Sequence, residues 1–175
     1  MDQMIEPGLI EVRDERSFDR WNTVYSLWYQ NQLLGKVGRE TGGLLGRPKH
    51  GMAIFGERQL LIRRAARDQP HTAELVDEQG LVLATATVTR RERRIEMAGT
   101  LFFLNMVKRS YDESRTKAPH AYVTSADGRI LLEPRWSFTL FYHHLRCVIV
   151  YTPLPTLTLF ILVAFITYYY PFYSK

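Results

Sequence analysis

Hydrophobic and polar residues alternate along most of this chain, and the alternation gives way to an unbroken apolar run at its end. The clearest stretch is Leu81 to Val88. There Leu81, Leu83, Thr85 and Thr87 fall on one face and Val82, Ala84, Ala86 and Val88 on the other, the period of two that marks a strand. Ala73 to Val76 precedes it across Asp77-Glu78-Gln79-Gly80, so the two segments predict a hairpin. The same design returns as Tyr122 to Ser125, the turn Ala126-Asp127-Gly128, and Arg129 to Leu132. Aligning Gly80 with Gly128, a step of 48 residues, also places Val82 on Ile130 and Leu83 on Leu131, which predicts a repeated strand-turn-strand unit.

The remaining segments extend this pattern. Trp21, Val24, Tyr25, Leu27, Trp28 and Tyr29 predict an aromatic-rich strand, Gln30 to Gln32 a turn, and Leu33 to Val37 a return strand. Gly35, Gly38, Gly42, Gly43, Gly46 and Gly51, with Pro48, predict a loop that lacks the Lys-Ser/Thr ending of a phosphate loop. Met52 to Phe55 and Gln59 to Arg63 form another hairpin around Gly56 and Glu57, Ile95 to Val107 bends at Gly99, and Trp136 to Tyr142 adds a further strand. Asp2 to Arg20 is polar and broken by Pro7 and Gly8, so residues 1–20 are expected to be an arm or a short edge strand.

The chain then closes on a segment with no Asp, Glu, Lys, Arg or His between Arg146 and Lys175. Val148 to Tyr151 is strand-like. Pro153 and Pro155 interrupt it, and Pro171 bounds a helix predicted over Thr156 to Tyr170. Such a helix is about 23 Å long at roughly 1.5 Å per residue, short of the ~20 apolar residues a spanning helix requires. A kinked helix from Cys147 to Tyr170 is long enough. Two placements follow: a membrane anchor, with Tyr168, Tyr169, Tyr170, Phe172 and Tyr173 as an aromatic belt, or a core helix surrounded by sheet. In either placement Leu157, Leu159, Phe160, Ile161, Leu162, Val163, Phe165 and Ile166 supply the apolar surface.

Composition narrows the class. With 175 residues, 46% hydrophobic and 23% charged, the chain has room for one globular core and does not resemble a set of membrane spans. All 18 acidic residues and every Lys or Arg except Lys175 precede Cys147, so the body is polar and mildly basic while the tail is not. No N-terminal signal is visible, because residues 1–20 are charged throughout. The single cysteine, Cys147, rules out an intramolecular disulfide and a multi-cysteine metal site.

The resulting fold class is mainly β: an antiparallel barrel or sandwich of about ten to twelve short strands with one hydrophobic C-terminal helix. The expected organisation is an arm at 1–20, a β-rich body at 21–152 and the apolar helix at 153–175. This layout resembles the tubby C-terminal-like superfamily, which includes phospholipid scramblases and LURP-one-related proteins. The resemblance rests on Asp77-Glu78-Gln79-Gly80-Leu81-Val82, Asp127-Gly128-Arg129-Ile130-Leu131 and Val148-Ile149-Val150-Tyr151 leading into Leu157 to Ile166. It implies a closed barrel of about twelve strands around a hydrophobic C-terminal helix, and a membrane-associated, lipid-contacting, noncatalytic domain. The chain lacks the scramblases' Cys-rich lipidation run, Pro-rich arm and acidic calcium segment, so scramblase activity and calcium dependence are not implied.

Candidate chemistry is sparse. His143 and His144 are adjacent, so on a strand they face opposite ways, and His50, His71 and His120 show no ligand spacing. Cys147 near His144 is a candidate thiol pair. No catalytic motif is present, and no metal, cofactor or nucleic-acid partner is expected. Arg90, Arg91, Arg93 and Arg94 form a basic run suited to anionic headgroups, with Arg63, Arg64, Arg67, Lys108 and Arg109 as extensions. The expected function is therefore a noncatalytic, lipid-contacting β-domain attached to a membrane through its C-terminal apolar segment, with the body on the cytoplasmic side. The alternative is a single-pass accessory subunit of a larger membrane protein complex, whose partners are other subunits.

Overall fold

A computed structural model of the chain describes residues 3–15, 22–41, 48–65, 71–89, 92–107, 120–139 and 142–169. Twelve strands form a closed antiparallel barrel: β2 (Gly8–Asp14), β3 (Asn22–Tyr29), β4 (Gln32–Thr41), β5 (Pro48–Phe55), β6 (Arg58–Arg64), β7 (Thr72–Val76), β8 (Val82–Val88), β9 (Arg93–Met97), β10 (Thr100–Val107), β11 (His120–Ser125), β12 (Ile130–Thr139) and β13 (Tyr142–Val150). Each strand pairs with its neighbour in sequence, and β13 closes the ring on β2. A two-stranded sheet of β1 (Met4–Ile5) and β14 (Leu154–Pro155) lies apart from the ring. The one helix among the described residues, α1 (Thr156–Tyr169), follows directly.

The barrel is built around α1. Thr156 and every residue from Thr158 to Tyr168 are buried, so this helix has no face turned to water. Removing Leu159, Phe160, Ile161, Leu162, Val163, Phe165 and Ile166 from solvent contributes roughly 10 to 20 kcal/mol before ordering entropy is counted. No helix among the described residues is long and apolar enough to cross a membrane. Of the two placements open to the apolar segment, the folded chain takes the interior one. Tyr170 lies outside the described residues.

Glycines set how close the sheet comes to the helix, which runs nearest β4 and β5. A Cβ on Gly35 would lie 2.8 Å from the ring of Phe160 and 2.1 Å from the Ile54 carbonyl oxygen. A Cβ on Gly51 would come within 3.0 Å of Tyr168 and of Ile62. The expected glycine loop is thus corrected: Gly35 and Gly38 lie in β4 and Gly51 in β5. A missing side chain suits a turn and equally suits a strand that a bulky helix presses against. Gly42, Gly43 and Gly46 lie outside the described residues.

Two further boundaries differ from the sequence reading. Gly8–Asp14 is a full member of the ring, paired to β13 and β3, and not an arm. Only Ile10 and the half-buried Val12 face inward along it, too few apolar positions to signal a strand against the charges between them. The strands expected separately at Arg129 to Leu132 and from Trp136 onward are one, Ile130–Thr139, with Pro134 opposite Val148 and a bulge at Arg135/Trp136 absorbing the irregularity. The helix that follows Pro153 shares one core with the strands.

The 48-residue repeat is present in the backbone. In both hairpins the turn closes through two matching bonds: Gly80 N to Asp77 O and Asp77 N to Leu81 O, then Gly128 N to Ser125 O and Ser125 N to Arg129 O, all 3.0 Å. Gly80 and Gly128 share a φ of 81°. Strand-pairing bulges fall at Leu75/Val76 and Val123/Thr124, and a third falls at Leu27/Trp28, the same 48-residue step from 27 to 75 to 123. The bulge step thus links three of the ring's hairpins, β3–β4, β7–β8 and β11–β12, set four strands apart around the barrel.

Candidate anion site at one mouth of the barrel

The two ends of α1 meet different surroundings. At its start, the Thr156 N–H and hydroxyl both donate to the Gln3 carbonyl oxygen, at 2.8 and 2.6 Å. Ile5 and Leu154, paired across the small sheet, are buried beside it. The Phe55 and Phe160 rings pack at 5.4 Å. Around the helix start the packing is apolar, and both donors of Thr156 have an acceptor.

The Tyr168 end is lined by arginine. Strand alternation carries Gly35, Val37 and Arg39 to one face of β4, and Val37 is fully buried, so Arg39 points into the barrel. Its register partner Gly51 faces Tyr168. Arg64 follows the buried Ile62 on the inner face of β6 and hydrogen-bonds to the Tyr168 side chain. Arg93 precedes the buried Ile95 on β9 and pairs with the buried Val88, which turns it inward as well. Three cationic side chains thus enter this mouth from separate strands.

Arg39 is the unusual member. Its Nε and Nη1 are shielded from solvent and no hydrogen-bond acceptor reaches them. Burial pushes its guanidinium pKa down, and nearby Tyr25 works in the opposite direction. Thr167 Oγ1 on α1 is likewise buried without a hydrogen-bond partner. A buried donor left without an acceptor costs on the order of 1–3 kcal/mol, more when charged, so this end holds donors in excess. Burial raises the pKa of Tyr168, against the influence of Arg64, keeping its phenol neutral.

Beside this mouth the ring is less tightly joined. Pairing between β13 and β2 runs only from Val150↔Gly8 to Cys147↔Glu11. Past that point the Tyr25 hydroxyl accepts the Leu145 N–H at 3.3 Å, and His144 Nδ1 lies 3.3 Å from Asp14 Oδ2. His144 therefore faces a carboxylate, and the expected thiol pair with Cys147 is not what the structure shows for it. Cys147 is half-buried, and burial pushes its thiol pKa up, away from the thiolate that reactivity requires. Among the described residues no group of three or more His, Cys, Asp and Glu is placed to hold a metal ion.

Of the expected basic run, the two described members lie on opposite faces of β9. Arg93 faces the interior, whereas Arg94 faces outward and pairs with Glu92 at 3.2 Å. Adjacent strand residues point to opposite sides, so the composition of the run overstates its joint charge. Arg90 and Arg91, with Arg67, Lys108 and Arg109, lie outside the described residues. Arg94 instead joins Thr72, Glu74, Thr85, Thr87 and Glu96 along an outer groove of about 380 Å³, where Glu74 is also paired to Arg63 at 3.3 Å. Opposite charges are mixed there.

Another polar cluster is self-contained. Glu133 is buried, accepts the Tyr151 hydroxyl at 2.7 Å and pairs with Arg135 at 3.0 Å. The carboxylate holds the Tyr151 phenol above its ordinary pKa.

Sequence reasoning missed Arg39 because it stands among glycines that read as a loop. The available signal was the alternation Gly35, Val37, Arg39, which predicts an inward arginine once the stretch is taken as a strand. No protein-family model, curated protein or solved structure matches this chain.

Proposed function

We propose that this protein is a noncatalytic, lipid-contacting β-barrel domain of the tubby C-terminal-like kind, working at the cytoplasmic face of a membrane. The reading is carried by the arginines of one mouth, Arg39, Arg64 and Arg93, which offer cationic donors to an anionic surface. A closed ring of twelve strands around an apolar helix supports the family resemblance, since that is the architecture it implies. Attachment through the C-terminal apolar segment is not part of the proposal, because α1 fills the barrel. Contact with lipid is assigned to the surface of the folded domain.

Sedimentation with vesicles tests this reading. Full-length protein is expected to pellet with vesicles carrying anionic phospholipids, to stay in solution with purely zwitterionic ones, and to be released by salt. Equal behaviour with both vesicle types rules the proposal out.

The opposite end favours a second reading, the accessory subunit. Leu33, Leu81 and Ile130, each just beyond one of the three related turns, are 49%, 63% and 43% exposed. Asp77, Glu78 and Asp127 stand beside two of them, which suits a basic or neutral protein partner better than anionic lipid. Purification of a stable complex from membranes whose assembly is lost in Leu81→Asp is the result expected on this reading.

A further inference from the structure

Resting on the accessory-subunit reading, we infer that the end of the barrel where α1 begins is a docking face for a protein segment that carries apolar and cationic side chains together. In an up-and-down ring every second hairpin falls at one end, so the β3–β4, β5–β6, β7–β8, β9–β10 and β11–β12 turns share the end where β13 leads into α1. Met4, Leu33, Leu81, Val82, Ile130 and Tyr151 all lie there, at or next to the first or last residue of a strand. They are six of the eight large apolar side chains exposed among the described residues. Apolar surface gathered at one place marks an interface, whereas exposed residues scattered singly do not.

The charges of that end select the occupant. Among the described residues, Glu6, Glu57, Asp77, Glu78 and Asp127 stand in its connections against Arg58 and Arg129, and Arg129 is already paired to Asp127 at 3.7 Å. The end is therefore acidic in a chain whose formal net charge is +5. It repels an anionic bilayer and equally the same face of a second copy, because like charges brought together oppose contact. A partner offering Lys or Arg beside leucine-sized side chains meets both features at once. Two of the carboxylates are fixed in place: Asp77 accepts the Gln79 and Leu81 N–H groups, and Glu78 accepts the Gln59 N–H at 3.2 Å, which ties β6 to the β7–β8 turn. The face is thus formed before a partner arrives, and little ordering is lost on docking. Because α1 fills the barrel behind it, the partner lies on the surface and does not thread the interior.

Fluorescence anisotropy of a labelled amphipathic peptide of leucine and lysine, titrated with the full chain, tests it. Saturable binding is expected, weakened about tenfold by Leu81→Ser, about threefold or more by Glu78→Lys, and by added salt. A matched peptide with glutamate in place of lysine is expected to bind about tenfold more weakly or not at all. Glu96→Lys makes the same change of charge on the outer wall and is expected to bind as the parent does. Leu81 and Glu78 are exposed, so both variants are expected to keep the parent's unfolding midpoint; should either fold poorly, Ile130→Ser takes its place. Equal binding of the two peptides overturns the inference, as does equal weakening by Glu96→Lys. Vesicles of neutral phosphatidylcholine and sedimentation equilibrium cover the other occupants. Vesicle binding or self-association that is lost in Leu81→Ser and is not competed by the lysine peptide gives the face to a bilayer or to a second copy, and overturns the inference. If the lysine peptide binds as expected and no complex is recovered from membranes, the docking face stands with a soluble partner and the accessory-subunit reading falls. If a complex dependent on Leu81 is recovered, yet it survives Glu78→Lys and the lysine peptide does not bind, that reading stands and this inference falls.

Discussion

At the Thr156 end of the central helix, phenylalanine packs on phenylalanine, a strand glycine admits the closest ring, and both donors of Thr156 reach one carbonyl. At the Tyr168 end, the groups around the same helix are arginines and hydroxyls, and two donors of Arg39 have no acceptor. One apolar rod therefore connects an end built for stability with an end that carries unspent hydrogen-bonding capacity. The contrast teaches where function sits in a filled barrel. With its interior occupied by its own helix, chemistry is confined to the mouths and the outer wall.

The largest test of the contrast uses one substitution at both ends. Gly35→Ala is expected to lose roughly 3 kcal/mol or more in urea denaturation, because the new Cβ meets a backbone oxygen and the φ of 153° is unfavourable for a side chain. Gly51→Ala is expected to lose less, roughly 1 to 2 kcal/mol, since its φ is ordinary and its neighbours at 3.0 Å are side-chain atoms of Ile62 and Tyr168 that must give by a few tenths of an ångström, not a backbone oxygen. Equal losses at both positions break the comparison.

Next in size is Arg39→Met, expected to raise stability in phosphate-free buffer by roughly 1 to 2 kcal/mol as an unpartnered buried guanidinium is replaced by an apolar chain. A stability loss there shows that Arg39 is structural. At the turn end, Asp77→Ala removes the carboxylate that accepts the Gln79 and Leu81 N–H groups at 3.0 and 2.8 Å, for a loss of about 1 kcal/mol in the same assay.

The smallest effect is a slope. Because burial raises the Tyr168 pKa, the unfolded chain loses that proton first as pH climbs. The stability this phenol contributes is complete below its unfolded pKa and declines as pH rises through the alkaline range towards the folded value. Denaturation midpoints followed through that range are expected to fall less steeply in Tyr168→Phe than in the parent.

Legibility in the sequence followed the range of the interaction. Leu81 to Val88 and the turn Asp77 to Gly80 were readable because alternation and turn chemistry are local, and the structure places strand and turn as expected. The helix start was readable too, since Pro155 immediately precedes Thr156–Tyr169. Gly8–Asp14 was not, because its strand character comes from pairing with β13, whose residues lie more than a hundred positions away. Arg93 and Arg94 read as one cationic patch until the register turned them to opposite faces. Arg39 was hidden by its glycine neighbours, which look like a loop until a helix is found lying against them.

By itself the sequence determined that this chain is strand-built with one charge-free helix that must leave water, because hydrophobic periodicity and the absence of charge act through neighbours a few residues apart. Only the tertiary structure decided that the barrel itself is what shelters the helix, and that arginines from β4, β6 and β9 meet at its Tyr168 end. Ring closure sets which distant side chains share a face. That register is a property of twelve strands together, and no single stretch of the chain encodes it.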